Sequence, residues 1–431
     1  MINKREKSEK RRKNARLYPL YKMFSWDLIC FYSIEFLFYT KTKGITASQV
    51  LIINAFYIIF KISMQVPAVT IADILGKRKG IIIGNILVLA YLIVLTNSPG
   101  MIGIIIADAI CAFGYDIKTI SETNLLYDSV STRGGEGIYS KLDSKGGSWY
   151  YWLDGIICLS AGYLFVLNNY LPMCICLGFV IISTILSFEF QDIHPVKKQD
   201  RKKTRIILKE YAEDLRESSK FIVKSKRMKA YILFGAVFYG VIKVIDTYKS
   251  DLLVVKGIPE EQFSMIFAIM TLLAGVAAYL SRKLHKKFRN RTLTFISLLF
   301  GGACLIVGIS ANILTDYIAI PIIILMYAVL KMCSATWYIL KFKYMTNFST
   351  PEIRNKITFT YELISGIIAS IISVIGSFIL KKTGINQAFL LVGIISSIAF
   401  LLILKYMKTR IGLKPKEYKK EDIEMRELIK K

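Results

Sequence analysis

The chain is poor in the residues most enzymes work with. Its 431 residues include two histidines, His194 and His285. No HExxH, GxSxG or GxxxxGK(S/T) pattern occurs. Zinc hydrolysis, an α/β-hydrolase nucleophile and P-loop nucleotide use therefore lack support. The seven cysteines form no CxxC and all fall in apolar runs, so neither a disulfide framework nor a zinc site is indicated. No catalytic group, metal or cofactor is expected. Acid is scarce too. Asp and Glu number 31 against 58 Lys and Arg, a formal charge of +27, and that balance alone would suit a nucleic-acid binder.

The placement of those charges argues otherwise. Hydrophobic residues make up 54% of the chain and the mean hydropathy is +0.46. They come in blocks of about twenty, the length a helix needs to cross ~30 Å of hydrocarbon. Twelve blocks can be drawn, at 17–40, 46–72, 80–97, 100–121, 146–167, 170–190, 229–254, 261–281, 291–312, 316–342, 357–380 and 385–405. Lys and Arg collect in the N-terminal arm, in alternate loops, in the long middle stretch and in the tail. That asymmetry places both termini and the middle stretch in the cytoplasm. The basic excess is thus topology, and the expected partner is a lipid bilayer, not nucleic acid. The first apolar stretch is too long for a signal peptide and lacks a small-residue cleavage site, so it reads as a retained span. The expected organisation is a basic arm (1–16), a six-helix bundle (17–190), a linker (191–228), a second bundle (229–405) and a charged tail (406–431). In the linker Ile207, Tyr211, Leu215 and Ile222 recur near helical spacing, as in an amphipathic helix lying along a membrane surface.

One phrase occurs twice. Lys43-Gly44-Ile45 follows the first block, and Lys256-Gly257-Ile258 follows the seventh, 213 positions later. Asp154-Gly155-Ile156-Ile157 is echoed by Ser365-Gly366-Ile367-Ile368. Duplicated sets of membrane helices are a common transporter design, with the path between the copies. Between the second and third blocks the chain reads Ala72-Asp73-Ile74-Leu75-Gly76-Lys77-Arg78-Lys79. With the 6+6 layout, this resembles the major facilitator superfamily, whose loop signature is G-x-x-x-D-R-x-G-R-R/K. Asp73, Gly76, Lys77 and Arg78 match, whereas Val69 and Ile74 depart from it. Glu122-Thr123-Asn124-Leu125-Leu126-Tyr127-Asp128-Ser129, followed by Arg133, looks like the LLYDS stretch of one bacterial branch.

The resemblance implies an all-α polytopic membrane protein, with 12 transmembrane helices in two six-helix bundles related by a pseudo-twofold. It implies a cytoplasmic gate loop of Asp73, Gly76, Lys77, Arg78, Glu122, Asp128 and Arg133, with the Asp in a charge cluster that holds the gate closed. It also implies a bacterial cytoplasmic membrane and secondary transport of a small-molecule substrate by alternating access, coupled to a proton or another ion. A monomer is expected. Asp108 stands where the superfamily often carries a proton-linked Arg, and the fifth block lacks the Gly-Pro dipeptide of drug–proton antiporters. Both departures tell against proton-driven drug efflux.

Charges inside the blocks cost at least ~2.5–3.5 kcal/mol each unless they face protein or water. Asp27 and Glu35 share a face of the first span, and Asp108 and Asp116 share one of the fourth. Lys243 and Asp246 are spaced to pair in the seventh, and Lys331 lies in the tenth. These spans line the cavity in the resembled family, so Glu35, Asp108, Asp116, Lys243, Asp246 and Lys331 are the candidate cavity residues. Glu35, Asp108 and Asp116 are the candidates for a protonatable site, and Asp116 corresponds to Lys331 across the repeat. For Asp27, Lys61, Asp154 and Glu362, permanent packing pairs or helix ends serve equally well. Tyr32, Trp149, Tyr150, Tyr151, Trp152, Tyr239 and Trp337 either line the path or form interfacial belts. Two functional alternatives stay open: a transporter-like sensor or assembly partner that moves no solute, and efflux of an amphipathic compound instead of movement of a sugar or amino-acid-like metabolite.

Overall fold

In the bilayer core no water is available to the backbone, so a spanning segment of this composition satisfies its amides by forming helix. The computed structural model describes residues 4–130, 136–193, 204–347 and 354–408, and among these residues there is no strand. The helices in chain order are α1 (Lys4–Ser25), α2 (Phe31–Leu37, continued by a π-helical turn over Phe38–Thr42), α3 (Ala47–Leu75), α4 (Lys77–Asn97), α5 (Gly100–Val130), α6 (Glu136–Leu167) and α7 (Leu171–Ser187). Then come α8 (Thr204–Lys224), α9 (Lys226–Val255), α10 (Glu260–Phe288), α11 (Arg291–Ile313), α12 (Asp316–Asn347) and α13 (Arg354–Lys408).

Among the described residues nine helices are long and apolar enough to cross a membrane, so the expected twelve are not reached by length and composition. The reasons are local. The expected first span, 17–40, is two helices with a gap at residues 26–30. The sixth is the 17-residue α7. The eleventh and twelfth lie end to end within α13 and are parted only by the non-helical Gly384, where φ is 74° and ψ 166°. The basic arm is not a separate segment either, because α1 runs through it from Lys4. The linker contains the expected amphipathic helix as α8, held to the start of α13 by Lys356, which lies 2.8 Å from Asp214 and 2.6 Å from Glu217.

The chain divides into two compact units. Unit 1 comprises Met1–Ile45, Ile59–Tyr211 and Glu260–Met265, and unit 2 comprises Thr46–Ile58, Ala212–Pro259 and Ile266–Lys431. In unit 1, α1 packs on α5, α6 and α7, and α4 packs on α5 and α7. The α4–α5 contact is close because glycines meet there. A Cβ on Gly84 would stand 2.8 Å from the Gly114 carbonyl oxygen. In unit 2, α9 and α11 pack on α13 and α11 on α12. Phe234 and Phe238 stack on each other there, and with Phe300, Trp337 and Phe400 they interlock edge to face or tilted.

The repeated phrase does the same work in each unit. Gly44 and Gly257 take positive φ, 66° and 71°, which lets the chain reverse. The lysine before each caps the end of a neighbouring helix, where the terminal carbonyls carry partial negative charge. Lys43 Nζ donates to the Thr96 and Ser98 carbonyls at 2.6 and 3.1 Å. Lys256 Nζ donates to the Ala311 carbonyl at 3.2 Å and to Asp316 at 2.6 Å. Ser98 and Ala311 are themselves 213 positions apart. Gly76 and Arg289 share that spacing and both have positive φ, 87° and 46°.

Replacing Gly257 by Ala should lower the melting temperature of the purified protein, because an L-residue at this φ costs about 1 kcal/mol or more. Gly302→Ala, at a helical position with open space around it, should leave the melting temperature unchanged or raise it. Equal effects at the two sites would contradict the turn assignment.

Candidate functional site

The gap in the first span is a built polar site within unit 1. Trp26 to Cys30 leave the helix, and Cys30 holds φ 70°, unusual for a residue with a Cβ. Several of the freed backbone groups find charged or polar partners. The Ser25 carbonyl, at the C-terminal end of α1, accepts from Lys118 Nζ of α5 at 2.6 Å. The Cys30 amide, at the start of α2, donates to Asp154 Oδ1 of α6 at 2.8 Å. Between them, Asp27 Oδ1 accepts from the Leu28 amide at 2.9 Å and from the hydroxyls of Tyr32 and Tyr115 at 2.9 and 3.1 Å.

One helical turn deeper toward the basic end, Lys22 of α1 pairs with Glu122 of α5. Glu122 is 1% exposed and Lys118 2%, so these charges are sealed inside protein. Lys22 lies 4.9 Å from the Trp26 ring centroid and Lys118 4.1 Å from that of Tyr115. Toward the opposite end, Glu35 and Asp108 lie within electrostatic range of each other and of the buried Tyr39 and Tyr91. Asp108 and Asp116 are both buried on α5.

Unit 2 carries a second cluster. Asp246 is paired not with Lys243, as its spacing suggested, but with Lys249 at 2.7 Å. Lys243 and Lys331 are its further electrostatic neighbours. Lys249 is 3% exposed at its side chain, whereas Asp246 is 40% exposed. Lys243 sits 5.6 Å from the Tyr239 ring centroid, and Tyr239 meets Tyr338 edge to face at 6.4 Å.

The expected gate residues divide. Gly76 begins α4, and the next residue, Lys77, pairs with Asp128. The Arg78 amide donates to Asp192 at 3.0 Å and its guanidinium to the Phe188 carbonyl at 2.8 Å. Arg11 Nε reaches the Asp128 carbonyl at 3.2 Å. Lys13 lies 2.6 Å from Glu189 and holds that exposed carboxyl below its usual range. All these groups belong to unit 1. Glu122 and Asp128 are not in a loop but inside α5, because the helix continues two turns past its apolar block. Glu122 therefore belongs to the buried Lys22 cluster. The Asp73 side chain and Arg133 lie outside the described residues. Among the expected path aromatics, Trp337 is a core residue of unit 2, while Tyr151 and Trp152 are exposed on α6.

Lys118 and Lys249 are the site residues that the sequence reasoning passed over. The available signal was a lysine inside an apolar block, the same criterion that selected Lys331. Among the described residues no group of three or more His, Cys, Asp and Glu could hold a metal ion.

The chain is similar to known proteins in two respects. A family model described as Major Facilitator Superfamily matches residues 22–345 and again 256–430. Among solved structures, the fold is similar to the nucleoside transporter NupG, with TM-score 0.69 and 12% identity over 92% of this chain and 99% of that one. It is similar also to the peptide transporter POT in complex with sulfate, with TM-score 0.68 and 14% identity over 94% and 98% of the two chains. No curated protein matches the sequence. At such identities the structural likeness is one of fold alone.

Lys22→Met or Glu122→Gln should each destabilise the protein by about 3–5 kcal/mol, because each strands a buried charge. The double substitution should cost clearly less than the sum, by about 1 kcal/mol or more in a double-mutant cycle of reversible unfolding. Additive costs would mean that the pair does not form.

Proposed function

The chain belongs to the major facilitator superfamily, and on that premise we propose that it is a secondary active transporter moving a small polar solute by alternating access. Membership makes it a multi-pass membrane transporter and not an enzyme. The observation that carries the finer reading is the set of charges held inside membrane helices. Charges so placed are function candidates by default because of their insertion cost, and they occur in both units. The interrupted first span of unit 1 is the kind of broken helix on which transporters build midplane sites.

Glu35 and Asp108 are the proposed coupling site. Two carboxyls within electrostatic range and partly or fully buried favour holding one proton between them, and a proton bound on one side of the membrane can be released on the other. The basic arm, the basic loops and the Lys77–Asp128 and Arg78–Asp192 contacts support a cytoplasmic placement of that end, with both termini inside a bacterial plasma membrane. The protein is proposed to work as a monomer. A second reading, a sensor that binds solute without moving it, draws on Val69 and Ile74, which replace a Gly and an Arg of the superfamily loop.

In proteoliposomes an imposed inward-acid or inward-alkaline gradient should drive solute accumulation. Asp108→Asn and Glu35→Gln should reduce that accumulation at least about tenfold while preserving counterflow exchange. If both variants accumulate solute as the parent does, the coupling site lies elsewhere. Solute binding without counterflow would instead identify a sensor.

A further inference from the structure

The seventh expected span, α9, shows an unusual pattern of exposure. Between Phe234 and Ser250 every residue is buried except Val237, Tyr239, Lys243 and Asp246. Tyr239, Lys243 and Asp246 are spaced i, i+4, i+7 and so form one stripe. A stripe facing lipid would be apolar, since each charge there would cost ~2.5–3.5 kcal/mol or more. The one accessible face of this helix is therefore a wet face. Lys331 and Tyr338, seven residues apart on α12, are likewise accessible.

The charge on this surface is unbalanced. Asp246 has three lysines for electrostatic neighbours, Lys249, Lys331 and Lys243. The Lys249–Asp246 pair is neutral in sum and its lysine is sealed in protein. Lys331, whose electrostatic neighbours include no acid other than Asp246, then leaves the surface positive. Ammonium groups act as compact point charges for carboxylate or phosphate. A cationic solute would be repelled from this surface.

We propose that the surface formed by Tyr239, Lys243, Asp246, Lys249, Lys331 and Tyr338 binds the acidic group, a carboxylate or a phosphate, of an anionic or zwitterionic solute. This rests on the transport reading above and names its substrate class. Lys331 and Lys243 contact the anion. Asp246, fixed by Lys249, lies beside both ammoniums and offsets their mutual repulsion. The edge-to-face tyrosines offer hydroxyls and an apolar wall to the rest of the solute.

The test follows the melting temperature of the purified full-length protein at fixed ionic strength with inorganic phosphate, succinate, choline or mannitol. A ligand that binds the folded protein raises its stability in a saturable way. Phosphate or succinate should do so, the more effective of the two identifying the acid, and choline and mannitol should not. Lys331→Gln should weaken the apparent affinity about 10- to 100-fold, the loss of one charge-assisted contact. Lys331→Arg should restore most of it, and Lys381→Gln, at an exposed position of α13, should change nothing. A shift unaffected by Lys331→Gln, a shift equal for choline and mannitol, or no shift with either anion overturns the proposal. Counterflow separates the two readings. Exchange of neutral or cationic solutes that neither anion inhibits removes the anion site and leaves transport standing. Anion binding without exchange does the reverse.

Discussion

A backbone inside hydrocarbon has no water to turn to, and an unsatisfied amide or carbonyl there costs several kcal/mol. The first span breaks its helix nonetheless, and much of unit 1 is arranged around that break. The partners have the sign the helix ends require. A lysine meets the carbonyl end of α1 and an aspartate meets the amide end of α2, each opposing the local dipole. The break thus holds two intramembrane charges in place, and these charges in turn hold the break. Asp27 lies between them with two tyrosine hydroxyls, at a point where a continuous helix would present only an apolar face.

The duplication built a symmetric scaffold and an asymmetric interior. The Lys-Gly phrase, its positive φ and its capping of the neighbouring helix recur 213 residues apart with the same geometry. The span before each phrase has no such twin in charge. Unit 1 gathers carboxylates with buried lysines at a broken helix, whereas α9 of unit 2 is unbroken and its Asp246 has Lys243 and Lys249 of the same helix and Lys331 of α12 for electrostatic neighbours. A common frame with different chemistry in each half suits a carrier that handles two species, a solute and a coupling ion.

Much of the fold was legible in the sequence because membrane insertion writes it in long apolar runs and one-sided basic loops. The family resemblance and the repeat agreed with both. What escaped was local. The first block had polar residues at its centre, but hydropathy averages over a window and could not show that Trp26–Cys30 leave the helix. Glu122 looked like a loop residue because its surroundings turn polar, although α5 continues to Val130 and buries it. Lys243 and Asp246 had the right spacing to pair, yet Lys249 at i+3 in the other direction took the contact, a choice set by which side chain is sealed. No pairing had been assigned to Lys77 and Asp128, which lie 51 residues apart in sequence and meet.

The central claim is that the accessible charges of the α9 stripe face water and serve transport, not packing. Accessibility of the α9 stripe tests it most directly. In a background with the seven native cysteines replaced, Tyr239→Cys and Asp246→Cys should react with a charged, membrane-impermeant thiol reagent, and an anion bound at the stripe should slow the reaction. Ile371→Cys, 54% exposed on α13 but within an apolar run, should react only with a lipid-soluble reagent. If the stripe cysteines also react only with the lipid-soluble reagent, the charges are packing features and the account is contradicted.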